Sequence, residues 1–161
     1  MTVAEYNKCV DQHSDAVYRF ILHNIRDKDD ARDIVQDSFE KMWMNHEGVN
    51  YEKSKSYLFT TAYRTMVDKI RRGGKMVRME PHHETATTSA GHFSDVKEIV
   101  RKAVGRLPEI QRSVIMLRDY EGYSYQEIGD ITGLSESQVK VYIYRARTAL
   151  KEYLGAIENL V

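Results

Sequence analysis

Apolar residues recur at helical spacing through most of this chain. Tyr6, Val10, Val17, Phe20, Ile21 and Ile25 form a first stripe. The acidic run DKDD, starting at Asp27, suits a helix N-terminus, where the helix dipole favours negative charge. It opens ARDIVQDSFEKMW, with Ile34, Val35, Phe39, Met42 and Trp43 on one side. Asn45 to Lys53 reads as a loop. The next helix, SKSYLFTTAYRTMVDKIRR, carries its stripe at Leu58, Thr61/Ala62, Thr65/Met66 and Ile70. Residues 1–72 therefore predict three or four helices.

The period is lost over residues 73–93. GGKMVRMEPHHETATTSAGHF is rich in Gly, Thr, Ser and Ala and reads as a linker. His82, His83 and His92 lie in it, but no Cys or carboxylate stands at a metal-ligand spacing beside them. Helix is expected to resume at Ser94-Asp95, a plausible cap, with Val96, Ile99, Val100, Ala103 and Val104 on its apolar face. Leu107-Pro108 punctuates, because proline suits a helix first turn. The helix it starts carries Ile110, Val114, Ile115 and Leu117 and ends near Asp119.

A helix-turn-helix follows. Ser124-Tyr-Gln-Glu127 has the spacing of a capping box, in which Ser and Glu reciprocally satisfy free backbone N–H groups. The short helix runs from Tyr125 to about Thr132. Gly133 permits a left-handed turn, Leu134 fills the corner, and Ser135 caps a second helix. Gly129 is small where the two helices should cross. On a helical wheel Val139, Tyr142, Ala146, Leu150 and Tyr153 face inward. Ser137, Lys140, Val141, Tyr144, Thr148 and Lys151 face outward, flanked by Arg145 and Arg147. An outward Val among cations suits a DNA major groove: Lys and Arg reach phosphates and guanine edges, and Val touches a thymine methyl. A solvated cationic helix in a structural bundle is the plainer reading of the same residues.

Charge sharpens this picture. The 161 residues carry no net charge, with 24 Lys+Arg against 24 Asp+Glu. Residues 1–72 hold 12 basic and 12 acidic side chains, and residues 96–161 hold 10 and 9. Between Gln138 and Lys151, however, there are four cations and no acid. Such a chain does not cling to DNA as a whole, but one helix can bind it locally. Asp33, Gln36, Asp37 and Glu40 form the polar side of the acidic helix; solvation explains them, as does a protein partner with a basic patch. The following helix mixes Tyr57, Phe59 and Tyr63 with Arg64, Lys69, Arg71 and Arg72. Aromatics and cations together suit single-stranded nucleic acid, although core packing also accounts for some of the rings.

The length allows one ordinary domain or two small ones. The 42% hydrophobic content supports packed cores, and 2 Pro with 9 Gly favour an all-α chain. The expected architecture is two small helical domains, 1–72 and 94–161, joined by the 73–93 linker. Cys9, the single cysteine, cannot pair within the chain, which suits a reducing cytoplasm. It reads as a half-buried core residue. No apolar run approaches the roughly 20 residues of a membrane span, and no signal peptide is visible in MTVAEYNKC.

Two blocks resemble a known family. LPEIQRSVIMLRDYEGYSYQEIGDITGLSESQVKVYIYRAR is similar to the C-terminal promoter-binding domain of extracytoplasmic-function sigma factors, small bacterial sigma subunits of RNA polymerase. DDARDIVQDSFEKMW and SYLFTTAYRTMVDKIRR resemble their N-terminal domain. The resemblance covers nearly all of the chain except the linker. It implies a region 2-like domain at 1–72 and a region 4-like domain at 94–161. The Asp33–Trp43 helix would dock on the β′ clamp helices of core polymerase through Asp33, Gln36, Asp37 and Glu40. The Met44–Lys53 loop and the Tyr57–Arg72 helix would melt the minus-ten element and hold flipped bases. Tyr57, Tyr63, Arg64, Lys69, Arg71 and Arg72 are its candidate contacts. The minus-thirty-five element would be read by Ser137, Lys140, Val141, Tyr144, Arg145, Arg147 and Lys151. Lys140, Val141, Tyr144 and Arg145 occupy the family's DNA-facing positions. The linker would thread the polymerase cleft.

The implied partners are core polymerase, including its β flap, promoter DNA and an anti-sigma factor, a membrane-anchored one among the forms expected. The implied location is the cytoplasm. The chain departs from the family where Ala-Arg-Asn usually precedes the Asp and paired Arg: here Ala62-Tyr63-Arg64 precedes Asp68, Arg71 and Arg72. The usual flipped-base contact is therefore not carried over. Arg64 is expected to alter minus-ten preference or to face a phosphate.

No nucleophile–base pair, phosphate-cradling glycine loop or metal-ligand spacing is present, so neither catalysis nor a cofactor is expected. A stand-alone helix-turn-helix regulator is the alternative function, and a structural bundle without DNA a third. Neither needs the acidic helix or the aromatic-basic helix.

Overall fold

A computed structural model describes residues 1–73 and 92–158. Seven α-helices and no strand occur among the described residues: α1 (Val3–Ile25), α2 (Lys28–Met44), α3 (Ser54–Gly73), α4 (His92–Gly105), α5 (Glu109–Ile115), α6 (Tyr125–Thr132) and α7 (Glu136–Glu158). Two short 3₁₀ turns, His46–Gly48 and Tyr51–Lys53, form the α2–α3 connection. The expected all-α architecture is present. Asp27 starts α2 by accepting from the backbone N–H groups of Asp29 and Asp30. α4 begins at His92, ahead of the cap expected at Ser94-Asp95. Of the expected linker, residues 74–91 lie outside the described residues, with His82 and His83 among them. α5 is extended by a π-helical turn, Met116–Tyr120, which carries the chain one turn past the regular helix.

α1, α2 and α3 pack around Phe20, Ile21, Ile34, Met42, Leu58, Phe59 and Met66, all buried. Cys9 is fully buried too, deeper than expected, and burial pushes its thiol pKa up. In the second half α7 lies against α4, α5 and α6, over Leu117, Ile128, Ile131, Val139, Ile143 and Ala146. The buried residues of the two halves join in one continuous cluster. The sequence predicts two bundles on a tether; in the structure they also pack on each other, α1 against α5 and α3 against α6.

This seam has two parts. At one end Arg112, 2% exposed, donates from Nε to Asn24 Oδ1 (3.0 Å) and from Nη1 to the Leu107 carbonyl (3.3 Å). Asn24 Oδ1 also accepts from Ser113 Oγ at 3.1 Å. The Arg26 guanidinium reaches across to the Gly105 carbonyl, and Arg26 itself adopts a left-handed backbone, φ 56°. A buried guanidinium is tolerable only when hydrogen-bonded, and these carbonyl and amide partners supply that. Burial first, and nearby Arg26 second, lower the Arg112 pKa to about 10, against the pull of Glu109, so the side chain stays charged at neutral pH. At the other end the Phe59 and Tyr123 rings meet edge to face, centroids 5.7 Å apart. Lys55 Nζ sits 5.1 Å from the Tyr123 centroid and 3.5 Å from Glu121 Oε1.

Candidate promoter and polymerase interfaces

The helix-turn-helix forms from the caps its sequence carries. Glu127 N donates to Ser124 Oγ (3.1 Å), and Ser124 N donates to Glu127 Oε1 (2.9 Å). Gly133 takes the left-handed turn at φ 80°, and its N–H donates to the Gly129 carbonyl at 2.8 Å. A Cβ on Gly129 would stand 2.7 Å from the Leu134 carbonyl oxygen, so the small residue admits the turn backbone rather than the crossing helix. A second reciprocal cap opens α7, between Ser135 and Gln138. Only its Ser was foreseen, although Ser-x-x-Gln has the same spacing.

Val139 and Ala146 are buried as the wheel predicts. Ile143, four residues after Val139, belongs to the same inward face and was missed. Ser137, Lys140, Val141, Tyr144, Arg145, Arg147 and Lys151 are all exposed. Val141 is 45% and Tyr144 73% exposed, so two large apolar-bodied side chains stand in solvent between cations. The cations have neighbours within the protein. Lys140 Nζ lies 3.9 Å from Glu136 Oε1 and 5.9 Å from the Tyr125 centroid. Arg118 lies 4.7 Å from the same ring. Arg147 Nη2 donates to Asp119 Oδ1 on the π-helical turn at 2.9 Å.

On α2, Asp33, Gln36 and Glu40 are exposed. Asp37 is half-buried and pairs with Lys41 at 3.2 Å. Trp43 was expected in the inward stripe, but it is 42% exposed at the end of the helix. It stacks on His46 (4.2 Å between centroids) and meets Tyr6 edge-on (5.0 Å). Beside it an open concavity of about 650 Å³ is lined by Met44, Asn45, His46, Glu47, Val49 and Tyr57. Asn45 Nδ2 donates to Tyr57 Oη at 3.2 Å, which ties the loop to α3.

The aromatic-basic helix α3 divides by side. Arg64, Arg71 and Arg72 are exposed, and Tyr57 is half-buried at the concavity. Lys69 pairs with Asp30 at 3.0 Å. Phe59 and Tyr63 turn into the core: Tyr63 is 7% exposed, 6.5 Å from Phe20 between ring centroids. Burial pushes its phenol pKa up to about 12. In this conformation Tyr63 offers no ring face to a base, because α3 lies between α1, α2 and α6 and needs its rings for packing. The candidate minus-ten residues therefore do not form one surface. Among the described residues no cluster of His, Cys, Asp and Glu could hold a metal, and no helix is long and apolar enough to cross a membrane.

Known proteins share this organisation. Residues 9–76 match the family described as Sigma-70 region 2, and residues 97–150 match Sigma-70, region 4. The chain is 32% identical to the RNA polymerase sigma factor SigV of Bacillus subtilis over 142 residues, covering 86% of this chain and 84% of that protein. It is 29% identical to the ECF RNA polymerase sigma factor SigM of the same organism over 140 residues, covering 84% and 86%. The fold is similar to that of the sigma factor RpoE, solved with the anti-sigma factor NepR from Bartonella quintana: TM-score 0.75, 24% identity, 95% of this chain and 98% of that one. It is also similar to CnrH, solved with the cytosolic domain of CnrY: TM-score 0.67, 24% identity, 94% and 88%. With the two region families matched in order on a helical pair of this fold, the chain belongs to the extracytoplasmic-function sigma factors of the sigma-70 family.

Proposed function

We propose that this chain binds core RNA polymerase and directs it to promoters with separate minus-ten and minus-thirty-five elements. The observation that carries the reading is the outward face of α7, where Val141 and Tyr144 stand exposed among Lys140, Arg145, Arg147 and Lys151. A merely solvated face has no need of exposed apolar bodies there, whereas a major groove does. Ser137, Lys140, Val141, Tyr144 and Arg145 read the minus-thirty-five element; Arg147 and Lys151 hold phosphates. The concavity at Met44–Val49 and Tyr57, with Arg64, Lys69, Arg71 and Arg72 around α3, receives minus-ten bases. Tyr63 serves this site from within, by packing α3. Asp33, Gln36, Asp37 and Glu40 dock on the β′ clamp, and the region 4-like half meets the β flap.

The chain is a transcription initiation factor and catalyses nothing itself. It works in the cytoplasm, where core polymerase is. The packed arrangement fits the state held by an anti-sigma factor, since the fold is similar to that of the sigma factor RpoE solved with the anti-sigma factor NepR. Residues 1–72 and 94–161 act as separable domains that part on polymerase.

Reconstitution tests this directly. Core polymerase with this chain should transcribe from fragments selected by the holoenzyme, and core alone should not. Asp33→Lys with Asp37→Lys should weaken core binding while leaving duplex binding by the full chain intact. Duplex binding with no polymerase-dependent transcription would favour a stand-alone regulator instead.

A further inference from the structure

We propose that Asp119 is an affinity-setting residue for the minus-thirty-five surface: its carboxylate occupies Arg147 in the place of a DNA phosphate and keeps duplex binding weak. This rests on the reading of α7 as the duplex-binding helix. The pair spans two elements, the π-helical turn Met116–Tyr120 and α7, with Arg147 Nη2 to Asp119 Oδ1 at 2.9 Å. Both side chains are about half-exposed, 52% and 47%, so both ends of the bond face the solvent that DNA would displace. The geometry is that of a charge-assisted guanidinium–oxygen bond, the same bond a phosphate oxygen would make.

Two consequences follow from charge alone. An arginine already neutralised by a carboxylate adds little to counterion release when it reaches a phosphate, so the pair flattens the salt dependence. The carboxylate also remains near the bound phosphate and repels it. Neither effect depends on base sequence, so Asp119 lowers affinity for cognate and other duplexes alike. The cationic stretch of α7 therefore acts with one fewer effective charge than its composition indicates. A region 4-like half that holds duplex weakly by itself depends on polymerase to reach a promoter.

The test uses the full chain, a mixed-sequence duplex and the duplex selected by the holoenzyme, titrated over a range of salt. Asp119→Asn should tighten both duplexes by a similar factor, up to about fivefold, the upper end for one exposed ion pair. It should steepen the salt slope by up to about 1. In an Arg147→Ala background the same substitution should have a much smaller effect, because the benefit acts through Arg147. The exposed, near-isosteric change should leave the thermal midpoint nearly unchanged, and a Asp119→Ser variant checks the result independently. Weaker or unchanged binding by both Asp119 variants, while Arg147→Ala still weakens binding, would overturn the proposal and leave the reading of α7 standing. No effect of Arg147→Ala would overturn both the proposal and the phosphate role of Arg147.

Discussion

The seam between the halves and the outward face of α7 use the same residue types in opposite ways. At the seam Arg112 and Tyr123 are 2% and 5% exposed, and Arg112 spends its donors on Asn24 and on backbone carbonyls. On α7 Tyr144 is 73% exposed, and Arg147 donates from one nitrogen, Nη2, to Asp119. A buried guanidinium must be hydrogen-bonded within the protein, whereas an exposed one keeps donors for a ligand. Arginine and tyrosine content alone therefore does not mark a nucleic-acid surface. What separates the two regions is which face of its helix each residue occupies and what the chain brings opposite it.

The largest effect that would break this contrast is at Arg112. Arg112→Ala removes several charge-assisted hydrogen bonds and leaves Asn24 buried, so it should cost roughly 2–4 kcal/mol in urea unfolding of the full chain. Duplex binding by α7, measured where the variant is folded, should change little. A variant with unaltered stability would show that the seam does not hold the halves together.

On the exposed side, Lys140→Ala or Arg145→Ala should cost about 1–3 kcal/mol on the selected duplex and less on mixed sequence. Arg147→Ala should instead weaken both duplexes similarly and reduce the salt slope by at most about 1, since Asp119 already shares its charge. Titrations showing equal discrimination by both groups would erase the distinction between base-reading and phosphate-holding residues.

Acidification gives the smallest expected effect. His23 is held below its usual pKa of 6.5 first by burial, then by Arg101, Arg112, Arg26 and Arg19. His13 is lowered first by burial and then by Lys55, with Glu121 opposing. Both therefore bind fewer protons in the packed state than when freely solvated. Packing is fully supported above about pH 6.5 and loses support as pH falls below it. The urea midpoint should drop modestly between neutral pH and roughly pH 5.5, and His23→Gln should reduce that drop. An identical slope in the variant would remove His23 from the account.

Much of the second half was legible because its information is local. The Ser124–Glu127 box, Gly133 and the Val139–Ala146 stripe each depend on residues within a few positions, and each took the expected form. The outward set on α7 followed from the same periodicity. The seam was not legible: Asn24 and Arg112 are 88 residues apart, and nothing local to Arg112 announces a buried partner. On α3 the mixture of rings and cations was visible, but its division was not, because burial of Phe59 and Tyr63 depends on α1 and α6 packing on that side. The Asp119–Arg147 pair was hidden for a related reason, since a π-helical turn shifts which residues face α7.

The central claim is that the packed halves part when the chain engages polymerase, while the α7 face stays available throughout. Distance measurement between labels at Asp11→Cys and Glu152→Cys tests it most directly. Both positions are exposed, on α1 and α7, and the buried Cys9 can be changed to Ser to leave two thiols. A single short distance is predicted for the free chain, shifting to a longer one on saturation with core polymerase. Arg112→Ala should already populate the longer distance without it. One unchanged distance in all three samples would contradict the account.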